Sequence, residues 1–265
     1  MPFRGRVLLS ASADLLRHVW PYVSVPVGAA LPWLVEKTWV RFRQKPDIVR
    51  VFGLDPVLPK LFIPCTVPSE TLEQDEFERL TTAYEGIFVF DQLQRLFSSV
   101  GDASKTARVV LSDAVDHADL SDNVVLIGGP IFNSLSRDLL LSLAPKCAFD
   151  GHALVCAGDS ERRFEPQGDP KDGIRDYALV VCTESIWESG KRCFAIMGCR
   201  TFGNMGASWA LRDRKFRASI ADRVRAEGNP NWIGVIGVSA RRRSTTLPIF
   251  SAPRLEHWAS LQTKT

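Results

Sequence analysis

The absences in this chain narrow the field first. Its 33 basic and 30 acidic residues nearly cancel, leaving a net charge of +3, so no broad field marks it for nucleic acid and no nucleic-acid module is recognisable. Basic residues gather locally, in Arg241 to Arg243 and between Arg212 and Arg225, as a solvated helix face or strand end usually does. His18, His117, His152 and His257 are scattered, without His-x-Glu or His-x-x-x-His spacing, and the six cysteines contain no Cys-x-x-Cys pair. No metal site is expected. Cys65, Cys147, Cys156, Cys182, Cys193 and Cys199 are too sparse for a disulfide framework and several sit in apolar runs. Buried, reduced thiols in a cytoplasmic protein are the expectation. The chain has no Gly-x-Ser-x-Gly elbow, and neither Gly-x-Gly-x-x-Gly nor the Gly-x4-Gly-Lys-Ser/Thr phosphate loop. Serine hydrolases and the familiar phosphate-loop proteins are set aside on that ground.

What remains is an ordinary globular composition, 45% apolar and 24% charged over 265 residues, enough for a large core. Residues 1–55 differ in character and read as an N-terminal arm. Val7 to Trp20 has helical apolar spacing, and Val19 to Val35 carries no charge. Pro21, Pro26 and Pro32 interrupt that run, which falls short of the ~20 apolar residues of a spanning helix, and no signal-peptide pattern precedes it. The arm is expected to pack on the main domain or on a protein partner, or to mediate self-association. Membrane contact through Trp20, Tyr22, Trp33 and Trp39 is the less favoured alternative.

Residues 56–265 read as one α/β domain of Rossmann-like type, a mostly parallel sheet with helices on both faces. Strands are expected at Leu61–Cys65, Arg108–Leu111, Asn123–Gly128, Ala153–Ala157, Tyr177–Thr183 and Cys193–Gly198, with helices over Asp91–Val100, Leu135–Leu143 and Ala207–Arg225. Trp232–Val238 and Thr245–Phe250 read as closing, antiparallel edge strands, and Gly158–Arg175 as a polar loop.

The segment Asn123 to Arg137 organises this domain. A branched-apolar run of the kind that builds a doubly buried strand ends at Gly128, Gly129 and Pro130. Asn133, Ser134 and Ser136 then offer caps for a helix. A second strand–glycine–helix corner runs from Gly198 through Arg200, Thr201, Gly203, Asn204 and Gly206. Such corners leave the carboxyl ends of strands, where α/β domains bind ligands. If the two strands are neighbours, one crevice lies between the corners. Gly128, Gly129, Pro130, Asn133, Ser134, Arg137, Arg200, Thr201, Gly203, Asn204 and Gly206 would line it, with Asp169 and Asp172 reaching a sugar hydroxyl. Backbone N–H groups and arginines suit a phosphate there.

Three motifs carry a resemblance: Val125-Leu-Ile-Gly-Gly-Pro-Ile-Phe-Asn133, Asp176-Tyr-Ala-Leu-Val-Val181, and Gly198 with Gly203-Asn-Met-Gly206. Together they resemble nucleoside 2-deoxyribosyltransferase-like domains and related Rossmann-type nucleotide-binding domains of bacterial signalling and anti-phage defence, over roughly residues 105–215. The resemblance implies a nucleotide-, nucleotide-sugar- or NAD-like ligand. It also implies a glutamate nucleophile on the helix after the second glycine loop, but Gly203 to Arg212 contains none. Glu184 and Glu188 on the preceding loop are the substitutes if the protein is an enzyme. The leading expectation is a nucleotide-recognising module, a sensor or accessory subunit. The alternatives are an N-glycosidase or NAD-consuming hydrolase using Glu184 or Glu188, and a non-catalytic structural or interaction subunit.

Overall fold

The computed structural model describes residues 47–53, 61–63, 76–98, 108–110, 112, 114–143, 146–157, 161–169, 172–241 and 248–261. The arm up to residue 46, Cys65, Arg242 and Arg243 lie outside these residues, as do the expectations that fall on them. Among the described residues no helix is long and apolar enough to cross a membrane.

The elements, in chain order, begin with β1 (Leu61–Ile63), α1 (Glu76–Ser98), β2 (Arg108–Val109), α2 (His117–Leu120), β3 (Val124–Ile127) and α3 (Ser134–Ser142). Then come β4 (Cys147–Asp150), β5 (Ala153–Cys156), β6 (Arg162–Phe164), β7 (Gln167–Asp169), β8 (Gly173–Glu184) and β9 (Arg192–Gly198). The chain closes with α4 (Thr201–Arg212), α5 (Arg214–Glu227), β10 (Trp232–Arg241) and β11 (Ile249–Ser260). The main sheet has the order β11-β10-β8-β9-β3-β1-β2, with β7 added to β8. The β2–β1, β1–β3 and β3–β9 pairs are parallel. β9–β8, β8–β10, β10–β11 and β7–β8 are antiparallel.

The mostly parallel, Rossmann-like expectation is therefore wrong. The sheet is mixed, and its long strands are the antiparallel ones. The cause is local: only residues 185–191 join β8 to β9, and a parallel return needs a crossover of a dozen or more residues. The stretch read as a polar loop, 158–175, contains β6, β7 and the start of β8.

Each face of the sheet has its own core, as the alternation of strand side chains requires. Val125, Ile127, Val180, Phe194 and Ile196 pack against α1, α4, α5 and the helical residues 47–52. Ile48, Val51 and Phe52 of that last segment are fully buried, and Trp232 Nε1 donates to the Val51 carbonyl at 3.1 Å. Val124, Leu126, Leu179, Val181, Ala195 and Met197 face the other way, onto α3 and the small antiparallel sheet β4-β5-β6. Helices thus dominate one face, and a helix and a three-stranded sheet share the other.

The single helix expected over Ala207–Arg225 is two. Asp213 breaks it by accepting the Phe216 N–H at 2.8 Å as the cap of α5, as an aspartate with extended backbone does. Arg217 is buried and donates to the Leu211 and Arg212 carbonyls at 2.8 and 3.1 Å. It satisfies the C-terminal end of α4, so this member of the basic cluster is structural. At the sheet edge, β11 carries two register shifts against β10, passing over Glu256 and then Ala252–Pro253, and Ala252 has φ +47°.

The cysteines divide. Cys182, Cys193 and Cys199 are free and buried, as expected. Cys147 and Cys156, expected as thiols, are instead joined by a disulfide. They stand directly opposite one another on β4 and β5, which brings their sulfurs together without any sequence motif.

Candidate functional site

β3 and β9 are adjacent and parallel, with Ile127 in register with Ile196, so both glycine corners leave the same edge of the sheet. Gly128 takes φ +99° and donates its N–H to the Ile196 carbonyl at 2.9 Å. A Cβ on Gly129 would stand 3.4 Å from the Gly198 carbonyl oxygen. The two turns are in contact. They then diverge: α3 leaves for the face of the small sheet, burying Leu135, Leu139 and Leu140 there, while α4 leaves for the helical face, burying Met205, Ala207 and Leu211. Neighbouring parallel strands whose helices go to opposite faces make a topological switch point, the kind of place where open α/β sheets bind ligands.

Several residues expected to line a crevice there hold the frame instead. Asn133 is fully buried. Its Oδ1 accepts the Leu135 and Ser136 N–H groups at 3.1 and 3.3 Å, and its Nδ2 donates to the Ile127 carbonyl at 3.0 Å. Ser136 donates its hydroxyl to the Gly128 carbonyl at 2.9 Å. The Leu135 and Ser136 N–H groups at the opening of α3 are thus taken by Asn133 and not offered to an anion.

α4 begins at Thr201, earlier than expected, which places Gly203, Asn204 and Gly206 inside the helix and buried. Their role is close packing. A Cβ on Gly203 would lie 2.1 Å from the Tyr177 carbonyl oxygen, and one on Gly206 would lie 2.2 Å from a Val238 methyl. Gly203 N–H, in the first turn of α4, donates to Asp176 Oδ2 at 2.6 Å and to the Arg200 carbonyl at 3.0 Å. The protein supplies its own carboxylate where a ligand phosphate was expected.

Asp176 is one half of a polar cluster that sequence reasoning missed as a site. It lies on β8 two residues before Ala178, the partner of Gly198, and on the same strand face as Ala178, beneath α4. The other half is Glu85 of α1. Asn204 Nδ2 donates to Glu85 Oε1, and Thr201 also hydrogen-bonds Glu85. Burial pushes the Glu85 carboxyl up to about 7; the bonds from Asn204 and Thr201 oppose this, and the Asp176 charge adds to it. Asp176 is likewise pushed up to about 6 by burial, against N–H bonds from Tyr177 and Gly203 and the charge of Arg200. Two buried carboxyls poised near neutrality share a site at the root of the second corner, as functional and structural acid pairs both can. Asn204 Oδ1 has no partner there. The available signal was a lone glutamate before the apolar run Gly86-Ile-Phe-Val-Phe90.

The remaining residues separate cleanly. Ser134, Arg137 and Arg200 are exposed, while Gly129, Pro130 and Thr201 are half-buried; all stand on the two corners or the opening turns of their helices. Among the described residues neither Arg137 nor Arg200 belongs to an ion pair. Asp169 and Asp172 are exposed on the β7–β8 hairpin, at this end of β8. Glu184 and Glu188 are elsewhere. Glu184 pairs with Arg192 at the start of β9, about 20 Å along β8 from the corner at ~3.3 Å per residue. It accepts the Gly190 N–H at 3.1 Å within its own turn. Neither glutamate can serve as a nucleophile in the crevice.

Fold and site define a mixed α/β domain with a topological switch point between β3 and β9 and a buried acid pair beneath α4. Neither a family model nor a curated protein matches the chain.

Proposed function

We propose that this domain binds a small nucleotide-like molecule in the crevice between the β3 and β9 corners, and recognises it without covalent chemistry. The observation that carries the reading is the divergence of α3 and α4 to opposite faces from adjacent parallel strands. Exposed Arg137 and Arg200 supply cationic forks for phosphate, and the backbone at Gly128, Gly129 and Pro130 supplies close approach. A sensor or accessory subunit, the setting that the transferase-like resemblance implies, fits a pocket whose α4 lacks a glutamate. A cytoplasmic site of action goes with such a ligand; there the Cys147–Cys156 bond faces a reducing thiol pool.

Calorimetry of the whole chain against nucleotides, nucleotide sugars and NAD tests the reading. Binding that falls at least tenfold in Arg200→Ala or Arg137→Ala is expected. No heat across the panel, or affinity indifferent to both changes, refutes it.

A second reading, N-glycosidic hydrolysis, draws on one observation: Glu85 reaches Asn204 from a neighbouring helix with its proton poised near pH 7. Release of free base or nicotinamide that disappears in Glu85→Gln would favour it over recognition alone.

A further inference from the structure

The hairpin β4–β5 holds Cys147 and Cys156 face to face, and β11 brings a third metal-ligating side chain to them. His257 pairs with Val235, whose side chain lies on the face covered by the small sheet. One ligand atom from each of Cys147, Cys156 and His257 lies within 4.8 Å of the other two. The contact is braced on both sides of His257. Lys146 Nζ donates to the Ser260 carbonyl at 2.9 Å, and Arg162 Nη1 to the Glu256 carbonyl at 3.0 Å. Despite this bracing, His257 Nε2 is buried with no hydrogen-bond partner, a state that buried nitrogens rarely keep.

We propose that Cys147, Cys156 and His257 form a zinc-type site which the disulfide closes and reduction opens. A small dithiol gives the Cys147–Cys156 bond two electrons and two protons, leaving as its own cyclic disulfide and producing two thiols. A zinc ion then displaces both thiol protons and bonds to two thiolates and His257 Nε2. Two thiolates and an imidazole select a thiophilic ion over magnesium or calcium. Three protein ligands leave the fourth tetrahedral position to solvent. Bonds of about 2.3 Å to sulfur and about 2.0 Å to nitrogen ask the sulfurs to part and the imidazole to close in slightly.

The test uses the full chain, reduced with a phosphine that is then removed anaerobically, and titrated with cobalt(II) followed by zinc(II). The expected result is about one equivalent of cobalt with sulfur-to-metal charge-transfer and tetrahedral d–d absorption, displaced by zinc and absent from the oxidised protein. His257→Ala should weaken binding by no less than the ~10–100-fold seen for lost outer-shell partners. In the unsubstituted chain, zinc should protect Cys147 and Cys156 from alkylation, mapped by mass spectrometry, so the outcome does not depend on a variant folding. Reduced protein that takes up no cobalt, equal affinity in His257→Ala, or alkylation of the two cysteines unchanged by saturating zinc each overturns the proposal.

Discussion

Replacing Glu85 with glutamine should stabilise the protein in alkali and leave it nearly unchanged in mild acid. Glu85 is 5% exposed, and its carboxyl is raised from 4.5 to about 7, chiefly by burial. The folded state therefore holds this proton more tightly than the unfolded chain does. Stability associated with the neutral acid is complete below pH 4.5 and is lost as pH rises through 7. At 1.36 kcal/mol per tenfold change, that loss is about 3 kcal/mol. Glutamine keeps an oxygen to accept from Asn204 and never ionises, so the variant should escape the loss. Asp176, raised from 3.8 to about 6, titrates in an overlapping window. The two carboxyls repel each other, so the wild-type profile belongs to the pair and is not a sum of two curves. Urea denaturation followed by tryptophan fluorescence at pH 5 and pH 8 measures the effect. A variant destabilised equally at both values would show that Glu85 acts as a packed hydrogen-bonding group and that its charge is irrelevant.

Asp176→Asn should instead destabilise the fold in mild acid. It keeps one acceptor for the two N–H groups of Tyr177 and Gly203, so it should cost about 1–3 kcal/mol at pH 5 in the same assay, and less at pH 8, where the buried wild-type carboxyl, raised to about 6, has ionised at a loss that asparagine escapes. Asn133→Ala removes the α3 cap and the bond to Ile127, lowering the urea midpoint by an amount worth about 1–3 kcal/mol. Gly203→Ala should prevent native folding, since its Cβ meets backbone; normal circular dichroism and an unchanged thermal midpoint would refute the account of α4 packing. Cys147→Ala with Cys156→Ala opens a short loop of sequence separation 9 and should cost up to about 2.5 kcal/mol, read as the difference from wild type in non-reducing urea.

Local chemistry was legible wherever one residue type had one physical use. The run Val124–Ile127 is fully buried on both faces, as its composition requires. Asn133 caps α3, and β10 pairs antiparallel with an edge strand, but that strand is Ile249–Ser260 and shares only residues 249–250 with the expected Thr245–Phe250. Strand direction was not read, although the 185–191 link was too short for the parallel return that was assumed. Gly203 and Gly206 were taken for loop residues because glycine disfavours helices on propensity alone. Here contact with Tyr177 and Val238 overrides propensity, and only tertiary structure reveals that. The meeting of Glu85 with Asp176 and Asn204, and of His257 with two cysteines, joins residues far apart in the chain with no spacing to betray them.

The irregular β11 has a consequence for how copies of this protein meet. Among the described residues β11 is an outermost strand of twelve residues, and such a strand would ordinarily be a template on which another molecule could zip up its own backbone. Pro253 removes one donor from that rim, and the two slips in register, with the left-handed turn at Ala252, spoil the even spacing such zippering needs. Fibrillar stacking along this border is therefore disfavoured by the shape of the backbone itself, whatever side chains the strand displays.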